Sequence, residues 1–140
     1  MLKSDMKTLA IDFGEKRIGL AISDELGISS APLGTIKVKS DTESVREIIR
    51  TYKEHKADQI LFGIPLNPDG SIGKIGNQVK RFAAKLKSGL DTKILFRDEY
   101  LSSKTAEDKK NGGKNKKRNG SIDSEAARII LQEFLNSNGN

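Results

Sequence analysis

Between residues 8 and 38 the apolar residues come in three short runs separated by turn-forming positions. Thr8–Phe13 is rich in β-formers and stops at Gly14, which predicts a strand. Gly14–Lys16 supplies the turn and Arg17–Ile22 the returning strand. A third strand, Leu33–Val38, follows a loop that holds Gly27 and Pro32. Short links between successive strands predict an antiparallel meander.

The period then changes. Ser40-Asp-Thr-Glu43 has the form of a capping box, and Val45, Ile48, Ile49 and Tyr52 follow at helical spacing. Gln59–Gly63 is a short apolar run bounded by Asp58 and Pro65, the pattern of a buried strand. Ile75, Val79, Phe82, Ala83 and Leu86 recur at intervals of four and three, a second amphipathic helix. Thr92–Arg97 reads as a fifth strand, and Ile122–Leu135 as a closing helix with Ser121 at its cap and Ala126, Ile129, Ile130 and Phe134 along it. Helical links between the later strands predict parallel pairing. The expectation is an α/β fold with one five-stranded mixed sheet flanked by helices, a single domain over residues 1–140 with no internal repeat. The stretch 109–120 stands apart, with six basic residues, three glycines and no acid. It cannot contribute to a core and is expected to be a flexible surface loop.

Composition narrows the possibilities. With 35% hydrophobic residues in 140, the chain can bury a core without disulfides. It has no cysteine, which excludes thiol nucleophiles and thiolate zinc sites and agrees with a reducing cytoplasm. No stretch approaches the roughly 20 apolar residues of a membrane helix. Met1–Lys7 carries charges where a signal peptide would be apolar. The formal charge of +6 favours a polyanionic partner.

Candidate chemistry sits where regular structure starts or stops. Asp12 falls near the end of the first strand, Asp98 and Glu99 follow the fifth, and Asp123 opens the last helix. Ligands of open α/β sheets gather beyond the carboxyl ends of the parallel strands, where these acids can meet. Clustered carboxylates need a counter-charge, and hard oxygen donors select Mg²⁺ or Mn²⁺. Two such ions about 4 Å apart activate a water and stabilise the leaving oxygen of a phosphodiester. That chemistry needs no histidine, and the only one, His55, lies near the end of a charged helix. Each acid also has a plain structural reading: Asp12 as a turn residue before Gly14, Asp123 as a helix-start acid, Asp98 and Glu99 as loop charges. Spacing alone leaves the two readings even.

A resemblance separates them. Ile11–Asp24, reading Ile-Asp-Phe-Gly-Glu-Lys-Arg-Ile-Gly-Leu-Ala-Ile-Ser-Asp, resembles the opening motif of the YqgF (RuvX-like) family, relatives of the RuvC junction resolvases. Ala31-Pro-Leu33, Phe62–Ser71, Asp98–Ser103 with Ala106, and Ile122–Ala127 resemble that family's later motifs in the same order. The resemblance implies a ribonuclease H-like fold. It also implies a nuclease that matures the 5′ end of 16S ribosomal RNA or, alternatively, resolves Holliday junctions. By motif it carries over Asp12, Glu99 and Asp123 as catalytic acids and metal ligands. Asp98 is the neighbour in question: adjacent strand residues face opposite ways, so one of the pair enters the site if the strand continues. Tyr100 stands where the family usually has arginine, which removes a charge from that position.

Lys16 and Arg17 beside Asp12, and Lys114, Lys116, Lys117 and Arg118 before Asp123, are the candidate contacts to nucleic-acid phosphates. Asn67–Gly70 reads as a turn and Asp24 as a structural residue. The expected partner is precursor rRNA or branched DNA, with ribosome association or a homodimer as further expectations and no membrane. Two other readings stand beside the nuclease. One is a nucleotide-binding module, since Asp12–Glu15 also resembles the phosphate-binding start of sugar kinases and actin-like ATPases. The other is a non-catalytic nucleic-acid-binding protein on a nuclease fold.

Overall fold

The computed structural model describes residues 6–100 and 120–138. Within them the order is β1 (Thr8–Asp12), β2 (Arg17–Ser23), β3 (Ser30–Lys37), α1 (Asp41–Glu54), β4 (Gln59–Leu66), α2 (Lys74–Gly89), β5 (Lys93–Tyr100) and α3 (Gly120–Asn138). The strands form one sheet in the order β3-β2-β1-β4-β5. The meander is antiparallel, whereas β4 pairs parallel to both β1 and β5. This is the expected mixed sheet.

Strand alternation divides the core in two. Leu9, Ile11, Ile18, Leu20, Ile60, Phe62 and Ile64 face α1 and α2, where they meet Ile48, Val79, Phe82 and Leu86. Phe82 packs against both Phe13 and Phe62, with ring centroids 5.1 and 6.2 Å away. Ala10, Ala21 and Leu61 face the other way and meet Ala127, Ile130, Leu131 and Leu135 of α3. Small residues on β1 and β2 let α3 lie close to the sheet. That closeness positions the site.

Several boundaries move from their expected places. β3 begins at Ser30, before Pro32, and β4 runs on through Pro65 to Leu66. The β1–β4 ladder ends at Ile11 and Phe62, so Pro65 lies past the pairing with β1, on the stretch of β4 paired only with β5 among the described strands. β5 continues through Asp98 and Glu99 to Tyr100, so both acids lie within the strand and not after it. α3 starts at Gly120, which puts Ser121 in its first turn and not at its cap, and takes Gly120 out of the expected loop. The rest of that loop lies outside the described residues. Ser40 does cap α1, its hydroxyl accepting from the Glu43 N–H at 3.1 Å. The expected turn closes with Gly70 N–H on the Asn67 carbonyl at 2.8 Å. Among the described residues no helix is long and apolar enough to cross a membrane.

Candidate active site

β1, β4 and β5 are parallel, so their carboxyl ends share one edge of the sheet. Ile11 lies beside Phe62, and Phe62 beside Phe96; one residue on, each strand presents Asp12, Gly63 and Arg97. Asp12 has the alternation of Ala10, which puts it on the face covered by α3. Across the β1–β2 ladder its partner is Gly19.

Gly19 brings Asp123 to the same place. A Cβ built on Gly19 would lie 2.0 Å from the Asp123 carbonyl oxygen and 2.4 Å from its carbonyl carbon. Only a glycine admits the first turn of α3 at that spot. Ser124, 1% exposed, fixes the turn further. Its hydroxyl donates to the Leu20 carbonyl and accepts from the Gly34 N–H, both at 3.0 Å. Gly34 has φ +110°, and the β2–β3 register shifts between Leu20 and Ala21, its facing stretch. Gly19 thus has Asp12 on one side in the sheet and Asp123 above it.

Arg17, expected as a phosphate contact, is engaged within the protein: its Nε donates to Asp123 Oδ2 at 2.7 Å. Two residues before Gly19 on the same strand, Arg17 shares its face of the sheet. Lys16 is exposed in the β1–β2 turn, and its carbonyl accepts from the Val38 N–H. Lys114, Lys116, Lys117 and Arg118 lie outside the described residues.

Asp98 and Glu99 are adjacent residues of β5. Phe96 stacks on Phe62 on the α1/α2 side, whereas Arg97 reaches Ser137 of α3 at 3.4 Å. Asp98 follows the sense of Phe96 and is exposed on the face away from α3. The backbone of Glu99 lies opposite Pro65, and that of Tyr100 opposite Leu66; their side chains are outside the described set. Asp24 is structural, as expected. Its carboxylate accepts from the Ile28 and Ser29 N–H groups in the β2–β3 turn, and the Ile28 bond chiefly holds its pKa below the ordinary value.

Among the described residues no three acids or imidazoles gather as a metal-binding group. Asp12 and Asp123 are two hard-oxygen donors around one glycine. Their chemistry fits a divalent ion of the Mg²⁺ or Mn²⁺ kind and needs at least one further oxygen ligand. A cleft of about 260 Å³ between Phe13, Glu15, Asp41, Gln78 and Arg81 opens on the α1/α2 side and includes neither acid. The acids lie instead at the carboxyl-end edge of the sheet, beside β2 and the start of α3. The sequence reading missed Gly19 and Ser124. A glycine inside an otherwise apolar strand signals close backbone approach and could have singled out Gly19; nothing in the sequence marks Ser124.

A family model described as RuvX, Holliday junction resolvase, matches residues 6–137. A Syntrophus aciditrophicus protein named "Putative pre-16S rRNA nuclease" is 39% identical over 137 residues, spanning 94% of this chain and 89% of that one. A Maridesulfovibrio salexigens protein of the same name is 40% identical over 132 residues, spanning 93% and 98%. Among solved structures, T. thermophilus RuvC in complex with a Holliday junction substrate aligns with a TM-score of 0.58 at 9% identity, over 94% of each chain. The fowlpox virus Holliday junction resolvase gives 0.55 at 16% identity, over 94% of this chain and 99% of that one. At such identities the two structures speak for the fold, which is ribonuclease H-like. The relatives speak for more: this chain belongs to the RuvX family.

Proposed function

We propose that the chain is a nuclease that hydrolyses phosphodiester bonds with Mg²⁺ or Mn²⁺, held by Asp12, Glu99 and Asp123, and that its substrate is the precursor of 16S rRNA at the 5′ end. The observation that carries this reading is the convergence of Asp12 and Asp123 on Gly19 from opposite ends of the chain. Glu99 enters this reading through strand alternation, as the second residue after Arg97 on β5. When bound, a pair of such ions lowers the pKa of water and stabilises the leaving oxygen. The chain's part is to hold the carboxylates aligned at the carboxyl-end edge of the sheet for a polymeric substrate. Lys16 and the basic residues Lys114, Lys116, Lys117 and Arg118 hold phosphates on either side, giving affinity without sequence choice. The names of the relatives favour precursor rRNA as substrate. The family description favours a four-way DNA junction as the second reading. An rRNA role implies a cytoplasmic, single-domain protein acting near the ribosome. Symmetric cutting of a junction calls for a homodimer.

The test is cleavage of a pre-16S fragment and a four-way junction side by side, with Mg²⁺, Mn²⁺ or chelator, by wild type and Asp12→Asn. We expect metal-dependent cutting of the RNA, lost in the variant while folding and binding persist. Cutting in Asp12→Asn would remove Asp12 from the mechanism. Binding of both substrates with no cutting by wild type would favour a binding protein on a nuclease fold.

A further inference from the structure

Arg17–Asp123 is the least exposed ion pair among the described residues, with side chains 30% and 16% exposed. The others are Arg50 with Glu47 and Glu54, Lys85 with Asp41, and Arg128 with Glu125; three of these four are local pairs within a helix. Arg17–Asp123 instead joins the first residue of β2 to the first turn of α3, 106 residues away in sequence. Both ends are held. Arg17 pairs with Lys37 in the β2–β3 ladder, and the Asp123 backbone rests on Gly19.

Two carboxylates brought close repel each other unless positive charge lies beside them. In the protein without a divalent ion, the Arg17 guanidinium provides that charge. It does so through Nε and one oxygen, Oδ2. Its two terminal nitrogens make no hydrogen bond to a described residue. A divalent ion that takes Asp123 must share or displace this contact, because two cations then compete for one carboxylate.

We propose that Arg17 is an internal counter-ion of the site, a positioning residue that holds Asp123 when no divalent ion is bound and yields Oδ2 when one arrives. The released guanidinium, still anchored by β2, is then free for a phosphate of the substrate beside the acids. This rests on the reading of Asp123 as a metal ligand. It makes a specific claim of its own: Arg17 opposes metal binding. Loss of a residue that merely supports the fold would loosen the site and weaken metal binding. Loss of a competing cation strengthens it.

The experiment is Mn²⁺ binding to the nucleic-acid-free protein, followed by electron paramagnetic resonance of the free ion. It compares wild type, Arg17→Met, Arg17→Gln and Asp123→Asn at fixed ionic strength, with a thermal melt of each. Removing a unit positive charge a few ångströms from the ion should tighten Mn²⁺ binding roughly five- to twentyfold in both neutral Arg17 variants. Asp123→Asn should weaken it by about tenfold or more. Unchanged or weaker binding in the Arg17 variants, with Asp123→Asn still impaired, would overturn the counter-ion proposal alone. Asp123→Asn with wild-type affinity would instead remove Asp123 from the ligand set and with it the basis of the proposal. If both Arg17 variants fail to fold, the residue belongs to the fold and the proposal is refuted.

Discussion

Replacing Gly19 by alanine adds one methyl group where α3 meets the sheet. That methyl would sit 2.0 Å from the Asp123 carbonyl oxygen, 2.4 Å from the carbonyl carbon and 3.0 Å from the Ser124 nitrogen. All three are backbone atoms, so no side chain can swing aside. Restoring an ordinary contact requires the first turn of α3 to retreat by roughly 1–1.5 Å, a rigid displacement that packed interiors resist. The Arg17–Asp123 bond at 2.7 Å and the two Ser124 bonds at 3.0 Å would then be stretched beyond useful length. Losing one charge-assisted and two neutral hydrogen bonds, with some relaxation, gives about 3–5 kcal/mol of destabilisation. For a domain of this size that corresponds to a fall in Tm of roughly 10–20 °C. Gly34→Ala is the control: nothing lies within 4 Å of its added Cβ, so only the strain of φ +110° remains. It should cost about 1–3 kcal/mol. Thermal melts followed by circular dichroism, with cleavage assays on the same samples, compare the two. If Gly19→Ala melts within about 2 °C of wild type and cuts normally, α3 does not rest on β2 as described.

Two further expectations are independent of the metal. Ser124→Ala leaves the part-buried Gly34 N–H without its acceptor. We expect about 1–3 kcal/mol of destabilisation in urea titrations, and a change below about 0.5 kcal/mol would mean that water replaces the hydroxyl. Asp24 is stabilised in its charged form by the Ile28 N–H first and by Ser29 next, which lowers its pKa in the folded state. Its contribution is therefore present above the unfolded value of about 3.9 and is lost as the pH falls through the lower folded value. Stability measured against pH should fall less steeply below pH ~4 in Asp24→Asn than in wild type; because the group is exposed the difference is small, and identical acid limbs would refute the assignment.

Short apolar runs and the 3.6 period were enough to place every described strand and helix in its order, because β1, β2 and β4 are buried almost throughout while α1 and α2 each bury one stripe. Boundaries failed where burial stopped deciding. β5 enters charged residues at Asp98 yet stays paired to β4, since an edge strand needs backbone partners and not apolar side chains. Pro65 looked like a stop but lies where β4 has already left β1. The acids were readable as types at strand ends; the expectation that Asp98 and Glu99 diverge falls on Glu99, whose side chain lies outside the described residues. The acids' meeting place was foreseen, but the contacts that bring Asp123 there were not readable. That Asp123 arrives at Gly19, and that Arg17 answers it from 106 residues away, depends on how closely α3 can approach small residues. Proximity of that kind is a property of the packed sheet.

That same late helix sets an order of events in synthesis. β1 to β5 leave the ribosome before α3, and at about 5–20 residues per second the 106 residues between Arg17 and Asp123 take on the order of 5–20 s to translate. For that interval Ala10, Ala21 and Leu61 have no helix to cover them, and Arg17 has no acid to answer it. The element that closes the second half of the core is also the one that delivers Asp123. A truncated or stalled chain therefore carries an exposed apolar face and an incomplete set of acids together. Quality control that removes such chains by their sticky surface removes only molecules that are also chemically silent.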